Sequence, residues 1–171
     1  ERGEIIERYK LSDLITDMEK EDWLILTRTN SLLKPILPQL KRHGLFFQTA
    51  QGNSIGKSLY EDIGYWNQMK EEKEVPEIQR QRVEERMHEV DITLPWQKAF
   101  TKVSPSQIEY MDAMITNGED LSQEPRIKVS TIHGAKGGEA TNVVLFLNQT
   151  LNTMAGAKKS AEKQDEEYRV W

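Results

Sequence analysis

Two glycine-rich segments carry side chains that could do chemistry. The first, Gly52-Asn53-Ser54-Ile55-Gly56-Lys57-Ser58, offers the lysine and hydroxyl that reach phosphate oxygens in nucleotide-binding loops. A Walker A loop needs four residues between its glycines, because successive backbone N–H groups must curl around the phosphates before the lysine reaches them. GNSIGKS has only three. It also follows the polar run Gln48 to Gln51 instead of leaving a buried strand tip, and no strand ending in a magnesium-binding acid is evident unless Leu11 to Asp13 is forced into that role. The spacing predicts a turn leading into the next helix, with Lys57 mattering little for nucleotide.

The second segment is Val129-Ser130-Thr131-Ile132-His133-Gly134-Ala135-Lys136-Gly137-Gly138-Glu139-Ala140, bracketed by β-rich runs at Ile127 to Ile132 and Asn142 to Leu147. Loops at the carboxyl ends of parallel strands are where α/β sheets bind ligands. A hydroxyl (Thr131), an imidazole (His133) and an ammonium group (Lys136) within a few residues can hydrogen-bond the phosphate oxygens of a nucleic-acid strand, while the glycines let the backbone come close. A plain surface turn fits the same pattern.

The elements that must position these loops follow from periodicity. Trp23-Leu24-Ile25-Leu26-Thr27 is a short continuous apolar run, as in a strand buried on both faces of a parallel sheet. Asn30 or Ser31 caps a helix whose apolar residues Leu32, Leu33, Ile36, Leu37 and Leu40 share a face, and His43-Gly44 stops it. Pro38 lies well inside this helix and predicts a kink or a later start. Leu45 to Thr49 is a second strand, and Leu59, Ile63, Trp66 and Met69 define a helix from about Lys57 to Lys70. Glu71 to Asp91 is dense in Glu, Arg, Lys and Gln around the sparse anchors Val75, Ile78, Val83 and Met87, which predicts an exposed helical excursion or connector. Pro95-Trp96 and Phe100 form a small apolar anchor, Ser104-Pro105-Ser106 opens a helix that runs to Asn117-Gly118, and the strand after the second glycine-rich loop reads as buried.

Composition narrows the function classes. A chain of 171 residues, 37% hydrophobic and 30% charged, suits one α/β domain with a modest insertion. No apolar run approaches the roughly 18 residues of a membrane span, and no leader pattern is evident at Glu1-Arg2-Gly3-Glu4, so a cytoplasmic location is expected. Without cysteine, and with His43, His88 and His133 scattered, Cys or His metal chemistry is not expected. The net charge of −5 disfavours a whole-surface basic field but leaves room for a local groove that holds a strand.

TIHGAKGGEATNVVLF resembles motif V of the UvrD/Rep/PcrA group of superfamily 1 DNA helicases, TxHxxKGxEFxxV. Thr131, His133, Lys136, Gly137, Glu139 and Val143 fall on the pattern, whereas Ala140 replaces its aromatic residue and Gly138 a common leucine. The Gly-Glu-Ala variant resembles a phage-type branch. Leu24 to Asn30 is similar to the family's "ILYRTN" strand and turn, and His43 to Phe47 to its "GIPY" step. GNSIGKSLYEDIGYW stands where the family has "GGxxFFxRxEIKDxxAYL", with Glu61-Asp62-Ile63 at the acidic part, and Asp165 to Trp171 resembles the opening of motif VI. About two-thirds of the chain is covered.

The resemblance implies a RecA-like parallel sheet flanked by helices, the second motor domain of an ATP-dependent DNA helicase. Residues 1–70 and 120–171 would form the motor domain and residues 71–119 a short inserted, mostly helical subdomain. It implies that Thr131 and His133 contact single-stranded DNA, that Arg28 lies near the same backbone, that Lys136 serves the strand or the loop's own geometry, and that Gly138 and Glu139 approach the nucleotide ribose. In this family the Walker A loop, the acid that holds Mg2+ and the catalytic glutamate belong to the first motor domain, and charge-stabilising arginines come from motifs IV and VI. Those arginines would lie before Glu1 and after Trp171, so no complete catalytic set is expected here, nor ATPase activity from this chain alone. The implied partners are single-stranded DNA or DNA junctions and the first motor domain, with ATP and Mg2+ as cofactors. Two alternatives are a non-enzymatic interaction domain that docks a partner through its charged insertion, and a freestanding nucleotide-binding enzyme that uses GNSIGKS.

Overall fold

The computed structural model describes residues 10–147; the motif VI-like stretch Asp165 to Trp171 lies outside them. Two short 3-10 turns, Leu11–Asp13 and Asp17–Glu19, lead in; they supply Leu11 and Met18 to the core, and Ile15 between them is buried with these. Leu11–Asp13 is thus a turn and supplies no strand.

The strand β1 (Trp23–Thr27) is followed by α1 (Asn30–Leu33) and α2 (Leu37–Arg42), then β2 (Phe47–Thr49) and β3 (Gly52–Asn53). The helices α3 (Lys57–Lys70), α4 (Glu77–Glu84), α5 (Trp96–Ala99) and α6 (Pro105–Thr116) come next, and β4 (Ile127–Thr131) and β5 (Asn142–Phe146) close the described chain. The five strands form one mixed sheet in the order β3-β2-β4-β1-β5. All neighbours are parallel except the β2–β3 hairpin. The chain is therefore an α/β protein with a mostly parallel sheet flanked by helices. Its central strand β1 aligns Ile25 with Val129 of β4 and with Val144 of β5.

The expected single helix after β1 is broken at residues 34–36. Pro35 and Pro38 each lack the N–H that a continuous helix would donate, so Pro38 serves in the first turn of α2, where no donor is needed. Gly44 then ends α2 at φ 60°, and Leu45 N–H returns to Leu40 O at 3.1 Å, closing the turn. Of the expected strand Leu45 to Thr49, only Phe47–Thr49 joins the ladder. Leu45 is still held: Tyr110 Oη donates to its carbonyl at 2.6 Å, and burial pushes that phenol well above its ordinary pKa.

The charge-rich stretch is less solvated than its composition predicts. Val75, Val83 and Met87 are buried, and only Ile78 of the four apolar anchors stands in water. Arg82 and Arg86 turn inward onto Asp62, which is completely buried on α3. Trp96, Phe100, Tyr110, Met111 and Met114 share one contiguous core with Ile25, Phe47 and Ile127 of the sheet. Trp66 and Phe100 meet edge to face, their ring centroids 6.0 Å apart.

The strand after the glycine-rich loop is not buried as its apolar run predicts. Among the described residues β5 stands at the edge of the sheet, with β1 as its one strand neighbour. Its exposure alternates, with Val143 and Leu145 open to solvent and Val144 and Phe146 packed against the core. Among the described residues no helix is long and apolar enough to cross a membrane.

Candidate functional site

Parallel pairing brings the carboxyl ends of β1 and β4 side by side, since Thr27 aligns with Thr131. Ile132 N–H donates to Thr27 O at 2.9 Å, so the two strands leave the sheet together. Thr27 is fully buried, and its hydroxyl donates to Thr29 O at 2.9 Å, which fixes the turn that carries Arg28. Nothing in residue type or spacing singled out Thr27; its role comes from burial at the strand end.

Three of the sequence candidates converge on this edge. Arg28 Nη1 lies 3.5 Å from His133 Nδ1, a contact in which only the guanidinium can donate if the two are hydrogen-bonded. Thr131 Oγ1 accepts the Gly134 N–H at 3.1 Å, and Thr131 O accepts the Ala135 N–H at 3.0 Å. The Thr131 hydroxyl thus shapes the turn as an acceptor. Lys136 stands exposed one residue past this turn. A guanidinium, an imidazole and a hydroxyl at one strand-end edge, with the ammonium group of Lys136 on the loop that leaves it, suit an anionic backbone such as a phosphodiester.

Gly138 and Glu139 are placed elsewhere. Because β4 and β5 both run parallel to β1 and flank it, residues 132–141 must return from the carboxyl edge of the sheet to its amino edge. A Cβ on Gly138 would lie 3.8 Å from Leu24 Cδ2, which puts the returning chain over the first half of β1. Gly137 makes the bend at φ 80°. The loop ends where Asp22, just ahead of β1, accepts the Thr141 N–H at 2.8 Å and the Thr141 hydroxyl at 2.5 Å. Those hydrogen bonds, with the Lys128 charge nearby, hold the Asp22 carboxyl below its ordinary pKa. The exposed Glu139 follows Gly138 on this returning path, between the Thr131 turn and Thr141. The Asp22–Thr141 pair had no sequence signal, since its members are far apart in the chain and neither lies in a motif.

GNSIGKS does not curl around an anion. Gly52 and Asn53 form β3 and pair back onto Thr49 and Gln48, and Ser54 N–H donates to Phe47 O at 2.8 Å. Ser54 Oγ is shared between Phe47 N–H and Tyr110 Oη. Lys57 opens α3 and lines a shallow hollow with Tyr60 and Trp96, none of them a residue of the strand-end rim. Among the described residues, no three His, Asp or Glu side chains come together as a metal site.

Comparison with family models, curated proteins and solved structures finds no match for this chain.

Proposed function

We propose that this chain is the second, RecA-like motor domain of an ATP-dependent DNA helicase or translocase, with residues 71–119 as its inserted subdomain. The observation that carries the reading is the convergence of Arg28, one residue past β1, with Thr131 at the end of β4 and His133 just beyond it, on the carboxyl edge of adjacent parallel strands. That rim would grip the backbone of single-stranded DNA, with Lys136 adding charge from the loop. Glu139 and Gly138, at the far end of the same loop, would approach the ribose of ATP. An exposed carboxylate can accept hydrogen bonds from ribose hydroxyls, whereas phosphate and Mg2+ would be held mainly by the first motor domain. Such a motor would work in the cytoplasm, on single strands or junctions, and cleft closure on ATP would draw the strand past the rim.

The test is fluorescence anisotropy of a labelled oligothymidylate with the full chain at about 50 and about 200 mM salt, beside an ATPase assay. Weak binding that falls steeply with salt, without ATP hydrolysis, is the expected result. Absence of binding at the lower salt, or robust hydrolysis by this chain alone, would overturn the reading.

A further inference from the structure

We infer that Asp22 is a positioning residue for the loop 132–141: its carboxylate fixes where the loop returns to the sheet, and with it where Lys136, Gly138 and Glu139 stand. This inference rests on the function proposed above only for the ligand, and not for the clamp itself.

The loop needs such a fixture. A crossover between parallel strands usually takes a dozen or more residues and a helix that packs on the sheet. Residues 132–141 form a shorter, helix-free connection with Gly134, Gly137 and Gly138 in it. Glycine widens the range of backbone states that must be lost when a ligand is bound. At the carboxyl edge, the hydrogen bonds of Ile132, Gly134 and Ala135 to Thr27 and Thr131 hold the loop. At the amino edge the corresponding work falls to one short stretch. Both Asp22 carboxylate oxygens are committed to Thr141, Asp22 O accepts the Asn142 N–H at 3.1 Å, and Glu21 Oε2 accepts Asn142 Nδ2 at 2.7 Å.

Asp22 is itself braced from behind. Glu21 adopts φ 59°, and Arg126 Nη1 donates to Glu21 O at 3.2 Å and to Met18 O at 3.0 Å. Arg126 Nη2 is anchored in turn on the nearly buried Glu119 carboxylate at 2.9 Å. A chain of contacts thus runs from Glu119 through Arg126 and the Glu21 turn to Asp22 and Thr141. The loop is tethered at both ends of β1, and its outward side chains are presented from a defined path.

Asp22→Ala, Asp22→Asn and Thr141→Val in the full chain test this. Asparagine can accept the Thr141 N–H through its oxygen and donate to the Thr141 hydroxyl through its amide, so it preserves the clamp without the charge. Amide hydrogen exchange of Thr141 should quicken about tenfold or more in Asp22→Ala, from loss of two charge-assisted bonds, and stay near wild type in Asp22→Asn. Oligothymidylate affinity should fall several-fold in Asp22→Ala and Thr141→Val and be restored in Asp22→Asn, while exchange in α6 is unchanged. Thr141 exchange that is the same in Asp22→Ala as in wild type would overturn the inference. So would oligothymidylate binding by Asp22→Ala as tight as that of a binding wild type, or an Asp22→Asn variant as loose as Asp22→Ala. A wild-type chain that binds no oligothymidylate would sink the proposed function, and the exchange arm would still decide the clamp.

Discussion

Arg28 and His133, far apart in the chain, meet at 3.5 Å because β1 and β4 are parallel neighbours in register. The contact brings a guanidinium and an imidazole together at the ends of the two strands. Arg28→Ala should weaken oligothymidylate binding about tenfold and lower the salt slope by about one, as expected for a lost phosphate contact. His133→Ala should cost less, and the double variant less than the sum, since each single change already disturbs the pair. A double-variant cycle by anisotropy checks this; strictly additive losses would mean that the two side chains act separately.

Gly44 is needed for two separable reasons. It sits at φ 60°, and an added Cβ would lie 2.6 Å from the Ala113 carbonyl carbon on α6. Gly44→Ala therefore combines a left-handed penalty with a backbone collision and should destabilise by about 3 kcal/mol. Gly118, at φ 74° with nothing within 4 Å of the added carbon, should lose only about 1 kcal/mol on the same change. Urea melts of the two variants measure the difference, and equal losses would show that the α2–α6 approach is not tight.

Much of the framework was legible because it depends on local pattern. The apolar run Trp23 to Thr27 and the helical face through Leu59, Ile63 and Trp66 each point to the element that forms, whereas GNSIGKS, expected as a turn into α3, first pairs Gly52 and Asn53 as β3. What stayed hidden depends on neighbours far along the chain. β5 has the composition of a central strand, but an apolar run cannot tell whether a second strand or a helix will cover it. The charged stretch gave no sign that Arg82 and Arg86 would converge on Asp62, because the pairing joins α4 to a carboxylate on α3. At the candidate site, Thr131 and His133 were visible as a motif, whereas Thr27 and Asp22 act only through strand register and loop return.

Asp62 is the one fully buried carboxylate among the described residues, and two arginines share it. Arg82 Nε approaches Oδ1 at 2.5 Å and Arg86 Nη2 approaches Oδ2 at 2.7 Å, while Glu61 takes the Arg82 Nη2 group at 3.2 Å. Asp62→Ala strands two guanidinium groups on the α3–α4 seam. Both are partly in water, so the loss should be about 2–3 kcal/mol, below the cost of breaking a fully buried pair. That corresponds to a fall of roughly 5–10 °C in Tm for a chain of this size. Glu61→Ala, at a half-exposed partner, should cost under about 1 kcal/mol. Calorimetry of the two variants checks the contrast; a near-neutral Asp62→Ala would mean that the apolar residues of α4 suffice to dock it.

The Asp22–Thr141 clamp also fixes the direction of an acid response. The Thr141 hydrogen bonds first, then Asp22's own backbone N–H and last the Lys128 charge, hold the Asp22 carboxyl below its ordinary value, so the folded state favours the carboxylate. A depressed folded value means that the contribution is fully present above the unfolded pKa of about 3.9 and is lost as pH falls through the lower folded value. Between about pH 7 and pH 5 the clamp should not change. Below about pH 4 the Thr141 amide resonance should shift with a midpoint below that of an unstructured aspartate, and its exchange protection should fall with it. Asp91 and Asp120, held low by their bonds from Thr93 and Ser122, add to the same acid loss of stability but not to the Thr141 signal. In Asp22→Asn that signal should be flat across the range. A Thr141 resonance that titrates at the ordinary aspartate value in the wild type would mean that the folded chain does not grip the carboxylate.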